Sequence, residues 1–106
     1  MHVTVTRTKG SPDQPLGIAT IAGEEMLPWL REIEGFDGLL MLTNEEAATT
    51  LAMTFWSNRE VAERHRAART EFRNRVTAAV NVKVEETSDY EVSFAHLGPR
   101  LSGLQR

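Results

Sequence analysis

Two stretches, Gly38-Leu39-Leu40-Met41-Leu42-Thr43 and Thr50-Leu51-Ala52-Met53-Thr54-Phe55-Trp56-Ser57, decide how this chain folds. Each has a strand's length, and Thr43-Asn44-Glu45-Glu46 opens a polar hairpin connection between them. Successive side chains of a strand point to opposite faces. A run that is apolar at nearly every position therefore presents apolar surface to both sides, and both sides must be covered.

Upstream, His2 to Thr8 reads as a first strand, with Val3 and Val5 pointing one way and Thr4 and Thr6 the other. Lys9-Gly10-Ser11-Pro12-Asp13 reads as a loop. From Gln14 to Ile33 the positions Leu16, Ile18, Ile21, Ala22, Met26, Leu27, Leu30 and Ile33 fit a helix. Pro28 lacks an N–H and crowds the preceding turn, so a kink or break is expected just before it. Gly35 stops the helix.

Downstream, Ser57-Asn58-Arg59-Glu60 has capping-box spacing, with Ser57 as the expected N-cap. Val61, His65, Ala68, Phe72, Val76 and Ala79 follow at helical intervals, and Arg and Glu fill the faces between them. A last strand alternates through Val80, Val82 and Val84, then through Tyr90, Val92 and Phe94. The polar Glu85 to Asp89 stretch is expected to form a bulge or bend. The order strand, helix, strand, strand, helix, strand predicts an α+β fold, an antiparallel sheet with two helices on one face. Two helices cover one face of four strands. A second copy of the chain is the simplest cover for the other, so a homodimer is expected. Residues 1–96 form one domain in this reading and residues 97–106 a C-terminal tail.

The 106 residues suit one domain. With 41% hydrophobic and 25% charged residues, the composition is that of an ordinary globular chain. The absence of cysteine excludes disulfides and thiolate chemistry and fits a reducing, cytoplasmic setting. No apolar stretch reaches the ~18 residues of a membrane span, and the alternating N-terminus reads as a strand rather than a secretory signal. A net charge of −3 argues against nucleic acid as the main partner.

Three segments resemble one known family. Glu34-Gly35-Phe36-Asp37-Gly38 looks like the (P)GFxG that leads into the second strand of antibiotic-biosynthesis monooxygenase-like proteins. Phe55-Trp56-Ser57-Asn58-Arg59-Glu60-Val61 is similar to their xWxSxEA passage into the second helix, and Asp89-Tyr90-Glu91-Val92 resembles their closing xYEV. The resemblance spans about residues 2 to 95. It implies a ferredoxin-like fold, a dimeric α+β barrel and a small cavity between sheet and helices. It also implies oxidation of a flat aromatic or quinol-type compound, often with no metal or flavin, so neither cofactor nor metal is expected. Haem-degrading members carry an Asn in the first strand, where this chain has Val3-Thr4-Val5-Thr6-Arg7, and a Trp and later His in the second helix. The only nearby Trp here is Trp56, at the structural position, which argues against haem degradation.

His65, on the apolar stripe, is the candidate catalytic base or hydrogen-bond partner for a phenol or quinol. The plain alternative is a structural His at the core rim. Trp29, Phe36, Trp56 and Phe72 can line an apolar pocket and stack on a flat ligand, or simply fill the core. Thr54 and Tyr90 offer hydroxyls, and Arg7 a guanidinium for an anion. The many arginines of the second helix, with Glu60 and Arg64 at i, i+4, read as a solvated face. His2, His65 and His96 are far apart and show no metal-ligand spacing. Gly98-Pro99-Arg100-Leu101-Ser102-Gly103 lies beyond the last strand and is read as opening no helix. The functional expectation is a small cofactor-independent monooxygenase-like protein. The competing reading is a non-catalytic dimeric ligand-binding or structural domain of the same fold.

Overall fold

The computed structural model describes residues 1–10 and 18–104. Four strands, β1 (His2–Lys9), β2 (Phe36–Asn44), β3 (Thr49–Trp56) and β4 (Lys83–Glu91), form one sheet in the order β2-β3-β1-β4. Every neighbouring pair is antiparallel. Helices α1 (Ile18–Leu30), α2 (Arg59–Arg64) and α3 (Arg66–Ala79) connect them, and a single turn, α4 (Pro99–Ser102), follows. This is the expected α+β, ferredoxin-like order. The part of the first helix expected from Gln14 to Gly17 lies outside the described residues, as does Ser11 to Asp13 of the loop.

Pro28 does not break α1. The helix runs through it and ends two residues later, where Arg31 N–H still donates to Leu27 O. A proline so near the C-terminal end removes only one of the helix's last bonds. Gly35 then turns the chain with φ of 96°, a left-handed conformation that side chains disfavour.

The second helix departs from its expectation in two ways. Its N-cap is Asn58, whose Oδ1 accepts from Val61 N–H at 2.9 Å, rather than Ser57. It is also two helices, interrupted at His65, which ends α2 and begins α3. Val61 is buried in the core as expected, but beyond it the most buried positions lie one residue past the expected stripe. Ala62, Arg69 and Thr77 are buried, whereas Ala68 and Ala79 are exposed. The polar stretch before Asp89 does hold a bulge. Arg7 pairs with Glu86 and Thr8 with Val84, leaving Glu85 as the extra residue, and the strand continues through Glu91. The tail is not without structure either, since Gly98 leads directly into α4.

The sheet wears its polarity inside out. Register places Thr4, Thr6 and Thr8 of β1 beside Thr54, Ala52 and Thr50 of β3, on the side that carries the helices. Val3 and Val5 pair with Phe55 and Met53, and Leu40 and Leu42 with Met53 and Leu51, on the opposite side. A solid core of Leu30, Trp56, Val61 and Ala62 closes one end of the helix-covered side.

Candidate functional site

Beside that solid core, the helices stand off the sheet and leave a partly open cavity of about 60 Å³. Its sheet wall is made of Thr4, Thr6, Thr8 and Thr54 with Leu39, Met41 and Ala52 between them. Alternation explains this wall, because even-numbered β1 residues share one face. Ala22, Gly23, Met26 and Leu30 of α1 form one flank, spaced at about one helical turn. Gly23 permits a close approach, since a Cβ there would overlap the thioether of Met41. The other flank is α3, which sends Arg69, Arg73 and Thr77 inward.

Arg69 is only 7% exposed. Its Nη1 donates to Thr4 Oγ1 at 2.9 Å, and its guanidinium lies 5.2 Å from the centre of the Trp56 ring. Burial pushes its pKa down to about 10, and the charges of Arg66 and Arg73 push the same way against the pull of Asp89. Arg73, lowered likewise by burial, donates from Nη1 to Thr87 Oγ1 at 2.8 Å and from Nη2 to Asn74 Oδ1 at 3.2 Å. Its Nε is buried with no acceptor. Among the described residues neither arginine meets a carboxylate within ion-pair distance.

Behind Thr4 lies a denser polar cluster. Thr4 passes the contact on, donating to Asp89 Oδ1 at 3.0 Å. The same oxygen lies 3.1 Å from His2 Nε2, and Arg66 reaches Asp89 Oδ2 at 3.0 Å. His2 Nδ1 in turn lies 2.7 Å from Glu91 Oε1. Both nitrogens of this buried ring thus face carboxylate oxygens. Partial burial raises the Asp89 pKa, but hydrogen bonds from His2, Arg66 and Thr4 and the charge of Arg66 outweigh it and hold the carboxyl below its usual range.

Of the residues singled out from sequence, Thr54 lines the cavity. Trp29 and Phe72 stack on each other at 5.4 Å, and Phe36 meets Trp56 edge-on at 5.8 Å. These four aromatics build the packing around the cavity, and none is on its lining. Trp56 is fully buried. His65 sits at the joint of α2 and α3, half-exposed, and does not line the cavity. Arg7 is bound to Glu86 at 2.9 Å, on a different part of the sheet, and Tyr90 is exposed. Sequence reasoning passed over Thr4 and Asp89 and assigned Arg69 and Arg73, with the other arginines of the second helix, to a solvated face, whereas Arg69 is buried and both line the cavity. The available signal was the alternation Thr4, Thr6, Thr8: a helix facing three buried hydroxyls has reason to bring polar side chains to them.

No protein-family model matches the sequence, and neither does any curated protein sequence. Solved structures do match the fold. A Deinococcus radiodurans protein provisionally named an antibiotic biosynthesis monooxygenase superposes with a TM-score of 0.67 at 16% identity, over 92% of this chain and 97% of that one. SnoaB, a cofactor-independent oxygenase from Streptomyces nogalater, gives 0.66 at 14% identity over 89% and 94%. The monooxygenase from the gene ActVA-Orf6 of Streptomyces coelicolor, in complex with nanaomycin D, gives 0.65 at 13% over 92% and 91%. The chain thus has the fold of the antibiotic biosynthesis monooxygenases. Among the described residues no helix is long and apolar enough to cross a membrane.

Proposed function

We propose that this protein is a cofactor-independent oxygenase acting on a flat aromatic or quinol-type compound held between sheet and helices, and that it works as a homodimer. The observation that carries the reading is the hydroxyl-lined cavity, set in a fold shared with oxygenases. Leu39, Met41 and Met26 offer an apolar bed for a ring, and the hydroxyls of Thr6 and Thr54 can orient its oxygens. An electron-rich quinol anion passes an electron to dioxygen directly. One oxygen atom then replaces a ring hydrogen and the other leaves as water, giving a hydroxyquinone. The protein's part is to position the ring and limit access of bulk water. The apolar side of the sheet, turned away from the helices, supports the dimer.

A second reading, a non-catalytic ligand-binding domain, is favoured by the lining itself, whose described residues include no carboxylate and no imidazole. Oxygen uptake with a panel of one- and two-ring quinols, in the presence of a chelator, separates the two. Uptake with label from ¹⁸O₂ in the product, reduced at least tenfold in Thr54→Val, is the expected result. Binding of the same quinols without uptake would sink the oxygenase reading and leave the binding domain.

A further inference from the structure

We infer that the cavity selects its ligand as an anion: a single planar ring bearing an ionised oxygen, held by Arg69 and Arg73. This deepens the cavity reading above and rests on it. Two guanidinium groups face one small space, and among the described residues no carboxylate pairs with either. A buried cation without a counter-charge in direct contact is unfavourable, and the structure holds Arg69 in that state with the half-buried Arg73 nearby. The depressed pKa of Arg69 reports the same unfavourable burial and like-charge crowding. A structural role for Arg69 alone would explain its bond to Thr4 and its seat over Trp56. It would not explain Arg73, whose guanidinium lines the same cavity and, among the described residues, binds only Thr87 and Asn74 through its side chain, leaving terminal N–H groups over. Guanidinium N–H groups left over at a cavity wall suit an anionic oxygen, which accepts charge-assisted hydrogen bonds from them.

The hydroxyls point the same way. Thr8 donates to Thr50 O, and Thr77 to the carbonyls of its own helix. Thr6 and Thr54 have no side-chain hydrogen bond among the described residues and remain available to a ligand's second oxygen. Size narrows the class. The cavity is about 60 Å³. A water needs about 10–15 Å³ by this measure, so there is room for about four, whose share of the liquid is on the order of 120 Å³. That is the bulk of one substituted ring.

Titration calorimetry on the full chain tests this with four probes. Two are anions, benzoate and 4-nitrophenolate, the latter at a pH where it is ionised. Two are neutral counterparts of similar shape, benzamide and 4-nitroanisole. At least one anion should bind about tenfold or more tighter than its counterpart, and which one does so distinguishes a carboxylate from an ionised phenol. Arg73→Gln should weaken that anion about tenfold and leave the neutral probes unchanged, as expected for loss of a charge-assisted hydrogen bond. Arg69→Gln should do the same. If its packing over Trp56 proves indispensable and it unfolds, Arg73→Gln decides alone. Equal binding of anion and neutral probe, no anion binding up to millimolar concentration, or full anion affinity in Arg73→Gln would each overturn the inference. Oxygen uptake is scored separately. Anion binding without uptake keeps this inference and removes the oxygenase, whereas uptake with a preference for neutral ligands does the reverse.

Discussion

Replacing Asp89 with Asn removes the charge on which Thr4, His2 and Arg66 converge. The amide keeps the shape and one acceptor oxygen, so the hydroxyl bond from Thr4 can survive. What is lost is the charge that answers Arg66 at 3.0 Å and His2 at 3.1 Å. Hydrogen bonds to charged groups contribute about 1.5–3 kcal/mol each. Asp89 is 28% exposed and Arg66 44%, so solvent screening reduces the Arg66 pair to a surface value of about 0.5 kcal/mol. The His2 contact is better sheltered, at 4% exposure, and takes about 1.5 kcal/mol. The expected loss is therefore about 2 kcal/mol near neutral pH, a fall in Tm on the order of 10 °C for a domain of this size. The pH dependence gives the sharper test. The folded-state pKa of Asp89 is depressed, so its contribution is present above the unfolded value of about 3.9 and disappears as pH falls through the folded value. Urea denaturation at pH 7 and at several pH values below 4 should show wild type and Asp89→Asn separated at the first and converging at the others. A gap that stays constant down to pH 2 would mean that Asp89 acts through shape rather than charge, and the network argument would fall.

Asn58→Ala should cost about 1 kcal/mol through loss of the α2 cap, whereas Ser57→Ala should stay within about 0.5 kcal/mol in the same urea titration. Gly35→Ala should cost about 2 kcal/mol, because its φ of 96° strains any side chain and a Cβ would lie 2.9 Å from Val61 and Ser57 atoms. Leu42→Glu, on the apolar side of the sheet and 48% exposed in the single chain, should keep the circular dichroism spectrum. In sedimentation it should move the species from about twice 11.9 kDa to the single-chain mass; a wild type that already sediments at 11.9 kDa would remove the dimer. His65→Leu should leave both oxygen uptake and Tm nearly unchanged, since the ring sits at a helix joint away from the cavity; a hundredfold loss of uptake at constant Tm would return His65 to the mechanism.

The strand pattern was legible because period-two alternation is written directly in the residues: Val3, Val5 against Thr4, Thr6 is a statement about two faces. Which face would meet the helices was not written there. Apolar residues usually identify the covered side, yet here the threonines take it. The inward face of α3 was hidden for the same reason. Val61, Phe72 and Val76 drew the stripe toward His65 and Ala68, but arginines have long apolar stems and can lie along a packed surface with their heads on hydroxyls. Asn58 displaced Ser57 as cap because both side chains can serve and only backbone geometry selects between adjacent candidates. The pairing of His2 with Asp89 and Glu91 joins residues 87 and 89 positions apart and needed the β1–β4 register, which local pattern does not supply.

The sheet order has a consequence for how this protein behaves when crowded. An open sheet has two borders at which main-chain N–H and C=O groups have no neighbour, and natural sequences defend such borders with charge, bulges or brevity. The border at β4 is defended on every count but length: Lys83, Glu85, Glu86, Asp89 and Glu91 repel an incoming strand, and the bulge at Glu85 bends it away. The border at β2 has its one charged side chain, Asp37, and its own register shift together at its very start, and then the unbroken run Leu39-Leu40-Met41-Leu42. Intermolecular β-pairing in concentrated or partly denatured samples is therefore expected to begin at β2, and a lysine at the exposed Thr43, off the face given to the dimer, is the substitution that would keep such samples clear.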